Sequence, residues 1–169
     1  LGTRLLPAFS TDTGIPYGTV NLLYGVPPGE TSVASLAGGG TLSIEMELLS
    51  RLTGDPSFGS AARLASRALW MRQSKTFGLL GKHIDVHSGD WVESLSGIGS
   101  NSDSFYEYLI KHHVLFPDDP DNDLWSMFVS AYDAVCTQNR MGHWYADVEM
   151  NGGRERGSRL VFESLMAFL

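Results

Sequence analysis

Cysteine is almost missing from this chain. Cys136 is alone in 169 residues, so no internal disulfide can form and the redox environment stays open. Basic residues are scarce too: 12 Lys and Arg stand against 19 Asp and Glu, for a net charge of −7. A phosphate-backbone partner draws its affinity from clustered Lys and Arg, so nucleic acid is excluded; a neutral polyhydroxyl ligand or a cation suits this balance better. No run approaches the ~20 apolar residues of a membrane span. No leader pattern opens the chain, and because it starts at Leu1 rather than Met this decides nothing about compartment.

Several site motifs are incomplete. Gly38-Gly39-Gly40 lacks the Lys-Ser/Thr of a phosphate loop and suits close helix packing or a kink. His83 and His87 are four apart, but on an extended segment rather than in the helical H-E-x-x-H arrangement that binds zinc. Asp119-Pro120-Asp121-Asn122-Asp123 begins like a calcium loop. Leu124 stands where the sixth-position glycine belongs and Ser130 where the final Glu belongs, so the stretch reads as the proline-and-acid start of a helix.

What the chain does have is helical patterning over an ordinary 43% apolar content. Leu1 to Ala8 reads as helix, Thr11 to Gly14 as a turn, Ile15 to Leu23 as extended or hairpin segments, and Val26 to Glu30 as a stiff loop. From Thr31 to Thr53 apolar residues occupy more than one side, including Leu42, Met46, Leu48, Leu49 and Leu52, which predicts one helix buried between neighbours. Gly54 closes it as a C′ glycine. After Pro56 comes a helix with Phe58, Ala62, Ala65 and Leu69 on one stripe and Arg63, Arg67 and Arg72 toward solvent. A second pair is predicted over Asp103 to Phe116 and Asp121 to about Gln138.

A further inner helix is expected from near Ser158. Its apolar run ends uncapped at Leu169, so residues 1–169 are expected to form one partial domain of a larger protein. Ile84 and Val86 alternate, as do Trp144, Ala146 and Val148, giving short strands. With no parallel-sheet rhythm, these inner and outer helix pairs predict an all-α toroid carrying short β-hairpins in its loops.

The chemistry concentrates in Gly97-Ile98-Gly99-Ser100-Asn101-Ser102-Asp103-Ser104-Phe105-Tyr106-Glu107-Tyr108-Leu109-Ile110-Lys111, a glycine-bearing loop running into an amphipathic helix. Phe105, Tyr108, Leu109 and His112 follow helical spacing and predict an inward face. Asp103 and Glu107 are one turn apart, so their carboxylates share a face if the helix begins at Asp103. A structural reading competes: Asp103 is a good N-cap, and Ser104 to Glu107 fits a capping box. The histidines 112 and 113 and the aromatics Trp91, Phe105, Tyr106, Tyr108 and Trp144 are candidates to stack on sugar rings, with core packing as the alternative.

This segment resembles the G-x-G…D-S-[FY]-[YF]-E-Y-L-[LI]-K signature of the class I α-1,2-mannosidases, glycoside hydrolase family 47. Ile15-Pro16-Tyr17-Gly18-Thr19-Val20-Asn21-Leu22 and Gly25-Val26-Pro27-Pro28-Gly29-Glu30-Thr31 are similar to the ER degradation-enhancing subgroup. So are the block from Thr41 to Leu49-Ser50-Arg51-Leu52-Thr53-Gly54-Asp55 and the block Gly78-Leu79…Gly81-Lys82-His83-Ile84-Asp85-Val86, where Lys82 replaces the family's Asn.

The resemblance implies part of an (αα)₇ barrel, and an inverting α-1,2-mannosidase that trims high-mannose N-glycans of misfolded glycoproteins in the endoplasmic reticulum. It implies Asp103 as the family's middle catalytic aspartate, Glu107, Asn101 and Glu45 at the substrate, and Ca²⁺ in the whole protein. The calcium-binding threonine, general acid and general base are implied outside this chain, so the segment alone is expected to be inactive and to hold no metal ligand. Asn101 stands where strict ER processing mannosidases carry a branch-reading arginine; the short neutral amide predicts different branch selection. A non-catalytic lectin module that binds the same glycans is the second reading.

Overall fold

The computed structural model describes residues 1–119, 123–160 and 162–167. The chain opens with α1 (Gly2–Leu5), continued by a 3₁₀ turn over Leu6–Phe9, as the sequence predicts. The extended segment that follows carries a single bridge, Asn21 to Gly25.

Thr31 to Thr53 is not one helix. It divides into β1 (Val33–Ser35), α2 (Leu36–Gly40) and α3 (Ser43–Thr53). Two local causes override the apolar pattern. Val33, Ala34 and Ser35 pair antiparallel with Asp85, Ile84 and His83 of β2 (His83–Asp85), which commits them to strand. The Ser35 hydroxyl then accepts from the Gly38 amide at 2.9 Å and starts a helix, which three successive glycines cannot sustain. Gly40 has a packing reason: a Cβ there would overlap the Phe105 ring and crowd Leu69.

The buried side of α3 is Ser43, Met46, Glu47 and Ser50, whereas Leu52 is 76% exposed and Leu48 is exposed as well. The expectation that apolar residues on more than one side of this helix are buried between neighbours is therefore corrected. Its inner face is polar because Glu47 meets Arg51 at 2.9 Å and also pairs with Arg63. Gly54 ends α3 in the left-handed region at φ 74°. The next helix, α4 (Ser57–Trp70), buries Phe58, Ala62, Ala65 and Leu69 as predicted. Its arginines are not free solvent groups: Arg63 reaches buried Glu47, and Arg67 pairs with Asp123 at 2.6 Å. Arg72 lies beyond the helix and donates to the Ala68 carbonyl.

After β2 come β3 (Trp91–Glu93), β4 (Leu95–Ser96), α5 (Asp103–Leu115) and α6 (Asp123–Gln138). The chain continues with β5 (Arg140–Met141), β6 (Trp144–Tyr145), β7 (Asp147–Glu149) and β8 (Gly153–Arg159). The small antiparallel sheets run β1-β2-β3, β4-β7-β8 and β5-β6, so two of them join segments far apart in sequence rather than forming simple loop hairpins. The helix expected from Ser158 is overturned: Ser158 and Arg159 of β8 pair with Val148 and Asp147, and among the described residues beyond them the helical state is confined to a 3₁₀ turn at Ser164–Ala167. The sequence-predicted helix start at Pro120, Asp121 and Asn122 lies outside the described residues.

α3 packs on α4, and α5 on α6, giving two αα units with α2 wedged against α4 and α5. The main core gathers Leu36, Leu69, Ile84, Phe105, Leu109 and Leu124 from both units and the first sheet. Burying a side chain of this size contributes about 1.5–3 kcal/mol, so the start of α5 rests on a firm base.

Candidate functional site

The first turn of α5 lies directly against this core. Phe105, Tyr106, Leu109 and His112 turn inward, so Asp103 and Glu107 share an adjoining face. Of the predicted inward set Tyr108 alone is misassigned: it is half-buried beside Glu45, and Tyr106 takes the inner place. Asp103 is the first helical residue and only 6% exposed. Its Oδ1 accepts from the Ser104 amide at 2.8 Å and from the Ser104 hydroxyl at 3.3 Å. The capping box does not form, because Ser102 is the N-cap and Glu107 turns instead to Lys111.

Glu45, exposed on α3, accepts from the Tyr108 hydroxyl at 2.7 Å. Burial, the bond to Glu45 and the charges of Glu45 and Glu107 together push the Tyr108 hydroxyl up to about 12. It therefore stays a protonated donor at any physiological pH. Tyr108 thus holds Glu45, one of the sequence-predicted residues, although the sequence marks it only as an aromatic. Glu107, Tyr108 and Glu45 line a polar surface one turn along from Asp103, suited to hydroxyl-rich ligands.

Asn101 adopts φ 73°, the left-handed region, unlike any other non-glycine among the described residues. Its side chain is exposed while its carbonyl accepts from the Ala37 amide at 2.8 Å, pinning the loop to α2. The Ser102 hydroxyl donates back to the carbonyls of Gly97 at 2.9 Å and Gly99 at 3.3 Å.

Both loop glycines are close-approach positions. A Cβ on Gly97 would occupy the place of the Asp147 carboxylate, and one on Gly99 that of Glu163. Asp147 is half-buried and paired with Lys82 at 2.6 Å; Lys82 is itself only 9% exposed. Glu163, Asp147 and Lys82 are the site neighbours that sequence reasoning missed. Lys82 left one trace, as the departure from the family's Asn.

The remaining candidates separate from this surface. Phe105, Tyr106 and His112 are core residues, and the Trp91 indole donates to the Arg72 carbonyl at 2.7 Å. His113 stacks on Trp125, and exposed Trp144 meets Phe162 edge-on. His83 and His87 take different carboxylates, Glu93 at 2.6 Å and Asp12 at 2.8 Å. Among the described residues no three His, Cys, Asp or Glu side chains gather as a cation requires. Asp103, Glu107 and Glu45 instead take Ser104, Lys111 and Tyr108 respectively as partners. A nearby cavity of about 180 Å³, lined by Ile98, Tyr106, Val135, Tyr145 and Met166, has no carboxylate in its wall and reads as a packing void.

Comparison with known proteins agrees along the whole chain. A human ER degradation-enhancing alpha-mannosidase-like protein 2 is 48% identical over 165 residues, covering 98% of this chain and 28% of that protein. Alpha-mannosidase I MNS4 of Arabidopsis thaliana is 46% identical over 168 residues, covering 99% of this chain and 26% of that protein. An alpha-1,2-mannosidase from Trichoderma reesei is a structural neighbour with TM-score 0.75 and 25% identity, over 90% of this chain and 33% of the solved one. The chain therefore spans about a quarter to a third of these relatives, and its helix pairs match part of an α/α-barrel enzyme. All of residues 1–169 match the family described as glycosyl hydrolase family 47, and the chain belongs to that family.

Proposed function

We propose that the whole protein is an inverting α-1,2-mannosidase that trims high-mannose N-glycans of misfolded glycoproteins in the endoplasmic reticulum, and that this segment forms one arc of its (αα)₇ barrel. The observation that carries the reading is the buried Asp103 carboxylate at the start of α5, beside the Glu107, Tyr108 and Glu45 surface, in a family 47 chain. Inversion requires one carboxyl to protonate the leaving oxygen and another to activate water on the opposite face. In the family pattern those two groups and the Ca²⁺-binding threonine come from other parts of the protein. Asp103 is then the third acid, fixed by its Ser104 bonds to orient the water or relay its proton. Glu107, Glu45 and Asn101 would take sugar hydroxyls.

The test is turnover of a high-mannose oligosaccharide by the intact protein, with the anomer released followed by NMR. Asp103→Asn should lower turnover by at least ~100-fold, the scale of one positioned acid–base group, while glycan binding survives. A lectin module would bind the same glycan with no mannose released from the unmodified protein. Near-normal trimming by the Asp103→Asn variant would reduce Asp103 to a helix-start residue and end this assignment.

A further inference from the structure

The loop that presents Asn101 and Asp103 is held from outside by an acid 63 residues further along the chain than the residue it grips. Glu163 lies just before the 3₁₀ turn at Ser164–Ala167. One of its oxygens accepts from the Ser100 backbone amide at 2.5 Å, and the other from the Ser100 hydroxyl at 2.8 Å. Its carboxylate fills the space a side chain at position 99 would need. These donors, with a lesser contribution from Lys82, hold the Glu163 carboxyl below its ordinary range, so it is ionised and a strong acceptor at neutral pH.

At the other glycine the Lys82–Asp147 pair fills the space beside Gly97, and Ser102 ties Gly97 and Gly99 together from within. The loop is thus clamped at both glycines, and Ser100, the residue Glu163 grips, is three positions before Asp103.

We propose that Glu163 is a positioning residue for hydrolysis: by holding both donors of Ser100 it fixes the path of the Gly97–Ser102 loop and so the direction of the Asp103 carboxylate. The inference rests on the reading of Asp103 as a catalytic group. Positioning of this kind acts on the reacting geometry rather than on affinity, since a displacement of about 1 Å at a reacting group can cost about 100-fold in rate.

The intact protein is assayed on an α-1,2-linked mannose disaccharide as Glu163→Ala, Glu163→Gln, Ser100→Ala, Ser100→Ala/Glu163→Ala and Asp103→Asn. Glu163→Ala should lower kcat about 10- to 100-fold with KM within about threefold and the unfolding midpoint nearly unchanged. Glu163→Gln keeps an acceptor for the Ser100 amide and can donate to its hydroxyl, so it should recover most of the rate. The double variant should be no slower than Glu163→Ala, because residues acting through one contact are not additive.

The proposal is overturned if Glu163→Ala keeps kcat while Asp103→Asn is inactive. Additive losses in the double variant overturn it too, as does a loss that follows the folded fraction and is not restored by Gln. An active Asp103→Asn variant is a different failure, that of the catalytic reading itself.

Discussion

Replacing Asn101 by Arg tests whether this loop has any freedom to adapt. At φ 73° a residue with a Cβ costs roughly 1–2 kcal/mol, a penalty that Asn, with its short polar side chain, partly avoids and Gly escapes. The two preceding glycines offer no relief: Gly97 sits on Asp147 and Gly99 on Glu163, and the carbonyl of residue 101 is bonded to the Ala37 amide. The sequence alone suggests the opposite, that Gly97 and Gly99 would let the loop adjust. Asn101→Arg should therefore open the loop more often than Asn101→Gly.

Hydrogen exchange at the Ala37 amide reads this directly, with protection in the Arg variant about 5- to 30-fold below that in the Gly variant. In the same variant the guanidinium fork beside Asp103 should narrow the product isomers released from a mixed high-mannose glycan, through hydrogen bonds worth ~1–3 kcal/mol that the wrong branch leaves unmade. Equal Ala37 protection in the two variants would refute the strain argument. An unchanged isomer pattern, resolved by chromatography, would show that position 101 does not face substrate.

Two further outcomes concern stability. Glu47 is buried between Arg51 and Arg63, so Arg63→Ala should destabilise the intact protein by about 3 kcal/mol, the low end for breaking a buried pair because Arg51 remains; a denaturant midpoint shift equivalent to less than about 1 kcal/mol would contradict this. Asp85 accepts from the Ser32 hydroxyl and from the Ser88 and His87 amides, in that order of importance, and its carboxyl is lowered to about 2. Its depressed folded value means that its contribution is complete above the ordinary carboxylate range near ~4 and is lost as pH falls toward about 2. Asp85→Asn should flatten that part of the pH–melting curve, and an identical acid limb would refute the assignment.

Where one face of an element is plainly apolar, the sequence is a reliable guide to this fold. α4 buries Phe58 and Leu69 as its stripe predicts, and α6 buries Leu124, Ala131 and Val135 at helical spacing, with Met127 rather than Phe128 on the inner face. The failures share a cause. Val33–Ser35 and Ser158–Arg159 are claimed by strands some 50 and 10 residues away, and no local periodicity records a distant edge. Glu47 and Ser50 are buried on α3 because Arg63 and the Gly59 amide come to meet them, which again depends on a neighbour.

The site shows the same division more sharply. Asp103 and Glu107 are readable as a pair because one helical turn fixes their relation, and the family signature marks them. Their setting is not readable in that way. Lys82, Asp147 and Glu163 converge on Gly97 and Gly99 from three separate parts of the chain, and each is individually an ordinary surface-type residue. The glycines were the available sign: two of them flanking one residue suggest mobility, but a glycine is equally what a chain needs where a carboxylate comes close to its backbone. Here the second reason holds at both positions, while the residue that does adopt positive φ is Asn101. A glycine-bearing loop before a buried acid is thus as consistent with a clamp as with a hinge. The identity of the side chain occupying the missing Cβ space decides which, and at Gly97 and Gly99 that side chain is charged and bonded.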